Sequence, residues 1–172
     1  MERKIDTKEM LVSEWSGGTA TQIAIYPENS TYADRDFIFR ISTASVNLDE
    51  SDFTHLPDYN RLIASISGKM ILSHDNGNSF TVEPFSNVYH FDGGIDTHCV
   101  GHAVDLNLML RKNLAEGELR LLNVGEKTEL NLGSNEIAVS YGTCSHDAVY
   151  MRNGMFSIMP TEPTALFIVT LL

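Results

Sequence analysis

Basic residues are scarce in this sequence. Its 172 residues include 12 lysines and arginines against 23 aspartates and glutamates, so the formal net charge at pH 7 is −11. A chain with this excess of negative charge is repelled by nucleic-acid phosphates and by anionic membrane surfaces. We therefore predict no nucleic-acid partner and no membrane partner. A small anion remains compatible with the composition, because a local arginine cluster can oppose the overall charge.

Cysteine is also scarce, and the short motifs of common cofactor sites are missing. Only Cys99 and Cys144 occur, so the sequence predicts neither a disulfide framework nor a Cys-x-x-Cys redox pair. None of the six histidines forms His-x-His. His98 and His102 would lie about 13 Å apart on an extended strand, too far to share one ion. We predict no metal and no other cofactor.

Long apolar runs are absent as well. The most apolar segment, residues 166–172, is too short to cross a bilayer. Residues 1–7 lack the apolar core of a secretory signal. Hydrophobic residues nevertheless make up 42% of the chain, enough for a folded core. A soluble cytoplasmic protein is the expectation.

Short strand patterns fill most of the chain. Residues 37–46 are rich in aromatic and β-branched types and free of Gly and Pro, which predicts an interior strand. Arg40 interrupts it and needs a partner or a ligand, because a lone buried charge is unfavourable. Residues 104–110 alternate, with Asp105 and Asn107 on one face. No amphipathic helix exceeds two turns, so the fold class is all-β, a sandwich or a barrel.

An internal repeat decides between sandwich and barrel. Residues 76–84 and 153–160 both run from Asn-Gly through Phe and a β-branched residue to Pro. Each copy predicts an Asn-Gly hairpin followed by a strand and a proline turn. Such a unit is typical of the middle of a cupin, so we predict a cupin-like β-barrel, a two-lobed bicupin of jelly-roll type with little helix. The first lobe spans 1–112 and the shorter second lobe 113–172, together forming one compact unit.

Four patches of the sequence resemble the HutD/Ves family, a group of small bicupin proteins often associated with histidine-utilisation operons. They are Trp15-Ser16-Gly17-Gly18-Thr19-Ala20-Thr21-Gln22-Ile23, residues 37–46, Phe53-Thr54-His55-Leu56-Pro57-Asp58-Tyr59-Asn60-Arg61, and Asp105-Leu106-Asn107-Leu108-Met109-Leu110-Arg111-Lys112. The chain departs from the family pattern at several positions. Thr19 replaces a glycine, Gln22 replaces an acidic residue, and Asp58 and Asn60 replace Gly and Asp. The resemblance implies a bicupin fold and a link to histidine breakdown.

Polar faces of several strands converge on the interior of a barrel, where arginine can clamp a carboxylate through two hydrogen bonds. We therefore predict a pocket for a small acidic metabolite. Its predicted ligand-binding residues are Arg40, Ser42, Arg61, Asp105, Asn107 and Thr21. The alternative is that Arg40 and Asp105 pair with each other and only hold the strands together.

The predicted function is small-molecule binding with a regulatory or accessory role in histidine or amino-acid catabolism. No nucleophile–base pair is visible, and Cys99 and Cys144 are interpreted as structural. The alternative is a metal-independent isomerase or an amide or formimino hydrolase, with Asp105 or His90 as general acid or base. A protein-interaction module is a third class. Pairing of exposed edge strands makes a homodimer a further hypothesis.

Overall fold

The computed structural model describes all 172 residues, and β-strands account for nearly all of its regular structure. In chain order the strands are β1 (Glu2–Ile5), β2 (Leu11–Trp15), β3 (Gly18–Tyr26), β4 (Phe39–Val46), β5 (Glu50–Asp52), β6 (Tyr59–Ser67), β7 (Met70–His74), β8 (Ser79–Val82), β9 (Tyr89–Asp92), β10 (Thr97–Val100), β11 (Ala103–Arg111), β12 (Ala115–Leu122), β13 (Thr128–Gly142), β14 (Ala148–Ile158) and β15 (Thr164–Leu171). The one helical segment is a 3-10 turn, Thr7–Glu9. The all-β prediction is confirmed.

None of the helical structure is long and apolar enough to cross a membrane.

The chain divides into two compact units. One consists of Leu11–Lys112, and the other combines Met1–Met10 with Asn113–Leu172. The first ten residues join the second group because β1 pairs antiparallel with β14, with Glu2 opposite Met151. This pairing joins residues far apart in the chain.

The Leu11–Lys112 unit contains two antiparallel sheets. The larger has the strand order β2-β3-β4-β11-β6-β9, and the smaller has the order β5-β10-β7-β8. An apolar cluster with members from both sheets includes Val46, Ile63, Leu72 and Cys99. The sheets associate through these side chains and are not joined by a hydrogen-bonded ladder, so they form a jelly-roll sandwich that is not closed into a continuous barrel.

Strand β4 lies inside the larger sheet, as its composition predicts. It pairs with β3 on one side and with β11 on the other. Strand β11 pairs with β6 on its other edge, so β11 also has partners on both edges. These three central strands, β4, β11 and β6, carry most of the predicted polar site.

The unit formed by the two chain ends is a single five-stranded sheet with the order β1-β14-β13-β15-β12. One of its faces carries a buried cluster that includes Leu122, Leu132, Phe156 and Leu166. The ladder between β13 and β14 shifts register between Leu132 and Ile137, where the strand bulges. The sheet continues on both sides of this irregularity.

The prediction of a second Asn-Gly hairpin is wrong. Gly77 does lie in a tight turn between β7 and β8, with its N–H bonded to the His74 carbonyl at 3.0 Å. Asn153 and Gly154, with φ of 60° and 102°, instead lie inside the continuous strand β14. Positive φ at two successive residues is accommodated here by the strand irregularity opposite residues 132–137, so no chain reversal results.

Replacing Gly68 by alanine should destabilise the protein by more than about 2 kcal/mol in urea unfolding. Gly68 has φ of +73°, and a Cβ there would lie 2.1 Å from the His102 carbonyl oxygen. Gly77→Ala is the matched control, since its φ is +86° but no atom lies within 4 Å of the added Cβ. The control should lose only about 1 kcal/mol. Equal losses of stability in the two variants would show that glycine is needed at position 68 for its backbone conformation and not for the close approach to residue 102.

Candidate functional site

A cavity of about 140 Å³ lies within the Leu11–Lys112 unit. We call it the arginine cavity. It is lined by Ser13, Glu14, Trp15, Ala20, Tyr32, Arg40, Ser42, Ala44, Phe53, Thr54, Arg61, Asp105, Asn107 and Met109. An engineered apolar cavity of similar volume accommodates a molecule of the size of benzene. The cavity is therefore suited to a small metabolite and not to a polymer.

The register of the central strands sets the order of polar groups on the cavity wall. Met109 lies between Arg40 on β4 and Arg61 on β6, so the two arginines flank one residue of β11. Asn107 lies opposite Ser42 in the next row, and Asp105 occupies the row after that. Alternate residues of a strand share a face, and neighbouring strands are about 4.8 Å apart. The strands therefore place two cations and one carboxyl group on a single face.

Arg40 is held by neutral groups. Its Nε donates to Gln22 Oε1 at 2.9 Å and its Nη1 donates to Ser42 Oγ at 3.1 Å. Its guanidinium carbon lies 4.5 Å from the centre of the Tyr32 ring. The side chain is only 4% exposed, and burial lowers its pKa while the Tyr32 hydroxyl opposes that shift. Arg40 forms no ion pair with Asp105, so the alternative that the two residues pair directly is wrong.

Arg61 is buried with few polar partners. It is 5% exposed, and its guanidinium carbon lies 5.1 Å from the ring centres of Phe53 and Phe91. Its Nη1 makes one long hydrogen bond, 3.5 Å, to the Thr54 carbonyl, and its Nε has no partner. Burial lowers the pKa of Arg61 to about 10, although Tyr32 and then Asp105 act in the opposite direction. The guanidinium is therefore still charged at neutral pH.

Asp105 is the acidic group of the inner wall. It is 2% exposed, and its Oδ1 has no hydrogen-bond partner. Burial raises its pKa from 3.8 to about 7, against the opposing effects of the Arg61 charge and the Ala44 backbone N–H. The same carboxyl group contributes, after burial, to raising the pKa of the Cys99 thiol to about 12. Cys99 is therefore an unreactive thiol, and Asp105 changes its protonation near neutral pH.

Unpartnered polar atoms are concentrated at this cavity. Five buried side-chain atoms lack a hydrogen-bond partner, and four belong to lining residues: Trp15 Nε1, Arg61 Nε, Asp105 Oδ1 and Asn107 Oδ1. The fifth, Ser51 Oγ, lies elsewhere. Buried polar groups are rarely left unpaired, because each lost hydrogen bond costs about 1–3 kcal/mol. Two N–H donors and two oxygen atoms of the lining residues thus lack a hydrogen-bond partner within the protein.

The structure brings five of the six predicted site residues together. Arg40, Ser42, Arg61, Asp105 and Asn107 all line the cavity. Whether they bind a ligand stays a prediction.

Thr21 is not brought to the cavity. It lies opposite Thr43 on β4, out of phase with Ala20, which does line the cavity. Thr43 in turn donates to the Asp105 carbonyl on the opposite side of the sheet from the cavity residues. His90, the alternative general base, is an exposed residue of β9 and does not line the cavity either.

Tyr32 is the lining residue that the sequence signalled least, because it lies in the polar segment after β3. Its ring is 3.7 Å from the guanidinium carbon of Arg35 and 4.5 Å from that of Arg40. Burial opposes ionisation of its hydroxyl, but a hydrogen bond with Thr54 and the Arg35 and Arg61 charges outweigh it and lower the pKa. Trp15 and Phe53 lie in two of the sequence patches that resemble the HutD/Ves family.

Strand β6 begins with a residue that holds the Tyr32 segment in place. The Tyr59 hydroxyl lies 2.9 Å from the Arg35 carbonyl and 3.0 Å from the Phe37 carbonyl, and its ring stacks on Phe37 at 4.4 Å. Arg111 Nη1 donates to the same Arg35 carbonyl at 2.8 Å. The segment that covers Arg40 is therefore fixed to the sheet.

The donor set does not fit a metal ion. The cavity presents two arginines and two carboxyl groups, the buried Asp105 and the exposed Glu14, and no group of three or more His, Cys, Asp or Glu side chains could hold a metal. His98 and His102 contact different carboxylates, Asp52 and Asp49, each at 2.8 Å. We therefore derive no metal-dependent step.

The loop 142–147 brings together no catalytic triad. Ser145 Oγ contacts Glu162 Oε1, and the same carboxylate accepts the backbone N–H groups of Cys144 and Ser145 at 2.9 Å. His146 Nδ1 lies 2.6 Å from the Tyr141 hydroxyl. The serine and the histidine thus have different partners, and the loop is held by polar contacts of its own.

A family model described as HutD matches residues 7–158. No curated protein sequence matches the chain. Among solved structures, HutD from Pseudomonas fluorescens SBW25 (formate condition) aligns over 100% of both chains with a TM-score of 0.80 and 18% identity. A conserved protein of unknown function from Pseudomonas aeruginosa PAO1 aligns over 99% of this chain and 98% of its own, with a TM-score of 0.79 and 20% identity.

YhhW from Escherichia coli is similar over 100% of this chain and 98% of its own, with a TM-score of 0.69 and 10% identity. It is a bacterial pirin and has also been solved in complex with nickel(II). Identities this low establish the fold alone. These neighbours are cupins, and they confirm the predicted cupin-like jelly roll.

Purified protein should contain no stoichiometric iron, manganese, nickel or zinc, and EDTA should leave the melting temperature unchanged. The reason is the donor set of the cavity, which has two carboxyl groups beside two arginines and no histidine. Elemental analysis of protein grown with each metal is the measurement. One equivalent of bound metal that persists through dialysis would contradict the prediction.

Asp105→Asn should change how stability depends on pH. A carboxyl group whose pKa is raised on folding stabilises the folded state least at high pH, so stability falls between about pH 4 and pH 7 and is level above that. One pKa unit corresponds to about 1.4 kcal/mol, so the variant should gain about 4 kcal/mol relative to wild type from pH 4 to pH 8. Urea unfolding at several pH values measures this difference.

Asp92→Asn is the control of opposite sign. A hydrogen bond from Lys112 lowers the pKa of Asp92, so its stabilising effect is present at neutral pH and is lost on acidification. A pH profile of Asp105→Asn parallel to that of wild type would show that Asp105 titrates normally in the folded protein.

Proposed function

This chain belongs to the HutD family, whose model matches residues 7–158, and on that premise we propose that it binds a small anionic carboxylate metabolite. The binding site is the arginine cavity. The role is regulatory or accessory in histidine or other amino-acid catabolism, following the association of the family with histidine utilisation. The proposed location of this binding is the cytoplasm.

One observation carries the proposal. Two buried arginines and four unpartnered polar atoms belong to residues that line a single cavity, while the rest of the chain has one other unpartnered buried side-chain atom. An internal structural site would satisfy its own polar groups, since an unpaired buried group destabilises the fold. A ligand that supplies the missing partners explains why these groups are retained.

Arg40 and Arg61 supply the positive charge for the anion. Neither forms an ion pair with a carboxylate of the protein, because the Arg40 contacts are Gln22 and Ser42 and the Arg61 contact is a backbone carbonyl. A carboxylate entering the cavity would give Arg61 Nε its missing acceptor. Hydrogen bonds between arginine and carboxylate in a dry site are among the strongest that a protein makes.

The remaining unpartnered atoms constrain the other end of the ligand. Asn107 Oδ1 and Asp105 Oδ1 accept hydrogen bonds, whereas Trp15 Nε1 donates one. The ligand therefore carries an N–H or O–H group and an additional acceptor besides its carboxylate. Urocanate, formiminoglutamate and formylglutamate combine these groups and are the acids that we would test first.

The cavity opposes the charge of the whole chain. The formal net charge is −11, yet the buried charged residues of the cavity are two arginines against one carboxyl group, Asp105, while the second lining carboxyl group, Glu14, is exposed. This contrast supports selective binding of a small anion at one place, and it does not support binding of a nucleic acid. A homodimer formed through edge strands stays a hypothesis.

A metal-independent enzyme is the second candidate. The observation that favours it is Asp105, an unpartnered buried carboxyl group whose pKa of about 7 suits a general acid or base. An isomerase or an amide or formimino hydrolase would use this group. Turnover of the bound acid, lost in Asp105→Asn while binding is retained, would favour this candidate over simple binding.

Thermal-shift measurements with the three acids test the proposal. At least one should raise the melting temperature of wild type, and Arg40→Ala should abolish that shift because the anion loses a buried cation. Arg40→Lys should retain part of it, since the charge remains but the planar fork is lost. Arg120→Ala is the control, because Arg120 pairs with Glu118 outside the cavity.

Gln22→Glu is a sharper variant, since it leaves Arg40 in place. Gln22 Oε1 accepts from Arg40 Nε at 2.9 Å, so a carboxylate at the same position would neutralise the arginine. Ligand stabilisation should fall by tenfold or more in affinity, with the protein still folded. Unchanged affinity in this variant, or no shift in wild type with any small acid, would show that the cavity is not an anion site.

A further inference from the structure

We propose that the arginine cavity takes up its anionic ligand together with one proton, which is held by the Asp105 carboxyl group. This inference rests on the proposed function and adds to it the protonation state of the complex. Binding of a singly charged anion would then leave the net charge of the inner wall unchanged, because the ligand brings one negative charge and Asp105 loses one. The protein would respond to pH as well as to the metabolite.

The position of Asp105 supplies the first argument. It lies on β11, which has partners on both edges, and its side chain is 2% exposed. Its Oδ1 has no hydrogen-bond partner, and neither Arg40 nor Arg61 forms an ion pair with it. An ionised carboxylate at this place is therefore stabilised by the Ala44 backbone N–H and otherwise only by charges at a distance.

The groups around Asp105 supply the second argument. On the neighbouring central strands these are Arg40 on β4 and Arg61 on β6, and the segment before β4 adds Tyr32 with Arg35 behind it. Strand β2 contributes the exposed Glu14, and β3 contributes only uncharged groups. On the smaller sheet, β10 contributes Cys99, whose thiol has a pKa of about 12.

Asp105 is an inner-wall group that changes protonation near neutral pH. Arg61 stays charged there, and the raised pKa of the Cys99 thiol keeps it neutral. The Arg61 charge is what favours the ionised form of Asp105, against burial. Asp105 is therefore placed to accept a proton that is taken up with the ligand.

Ligand binding removes the stabilisation that keeps Asp105 ionised. A carboxylate at Arg61 neutralises the nearest cation and places a second negative charge in the same cavity. Two carboxylates in one dry site rarely both stay ionised, so the one with the higher pKa takes up a proton. The protonated Asp105 then gains an O–H that can donate to an oxygen of the ligand.

The consequence is a defined pH dependence. Below about pH 7 Asp105 is already protonated and the affinity is independent of its titration. Above pH 7 each bound anion brings one proton, so the dissociation constant rises about tenfold per pH unit until the complex itself titrates. Asp105→Asn keeps the shape of the side chain without the titration, so its affinity should be level over the same range.

Calorimetry on the full chain tests the proton count. Formylglutamate is the probe, with formate as the smallest carboxylate, titrated at pH 8 in three buffers of different ionisation enthalpy. Wild type should take up about one proton per bound anion, and Asp105→Asn close to none. Glu14→Gln should still take up one proton, which separates Asp105 from the carboxyl group of β2.

The outcomes separate the two proposals. Binding of either probe with no proton uptake by wild type overturns this inference and leaves the proposed function standing. No binding of either probe, of urocanate or of formiminoglutamate between pH 5 and pH 9 overturns both. Should Asp105→Asn not fold, infrared difference spectra of wild type give the same answer. A protonated carboxyl signal must grow on binding at pH 8, and its absence refutes the inference.

Discussion

Burial of like and unlike charges on one sheet face is the constraint on which this site depends. Arg40, Arg61 and Asp105 are each no more than 5% exposed, yet none is neutralised by a direct ion pair. Desolvation shifts the arginine pKa values downward and the Asp105 pKa upward, and these shifts are opposed by charges at a distance and, for Asp105, by the Ala44 backbone N–H. The surrounding strands hold these charged side chains in place. A molecule that completes their hydrogen bonds would stabilise the folded protein.

The support comes from central strands and aromatic contacts. Strands β4, β11 and β6 are paired on both edges, so the polar row cannot slip without moving the apolar cluster on the same sheet. Tyr59 fixes the segment that carries Tyr32 over Arg40, through contacts to two backbone carbonyls. Rigid backbone around an unsatisfied site is the arrangement expected of a binding pocket that is formed before its ligand arrives.

The side chains of the cavity differ from those expected of a metal-binding cupin. YhhW shares the fold and has been solved with nickel(II), whereas the cavity of this chain presents two arginines, one asparagine and two carboxyl groups. The same scaffold therefore carries different chemistry according to which side chains point inward. In this chain Gln22, a neutral residue at a position where the family resemblance has an acidic one, leaves Arg40 available to an anion.

The sequence by itself determined the all-β class, the interior position of residues 39–46 and the inward polar face of β11, because strand periodicity is local and depends only on nearest neighbours. It also placed five residues of the cavity. The tertiary structure decided the rest. It gave Arg40 neutral partners, put Thr21 on the other face, brought in Tyr32 from a polar segment, and continued β14 through Asn153 and Gly154. Which side chains meet is set by register between strands that are distant in the chain, and one residue of register moves a side chain to the opposite face.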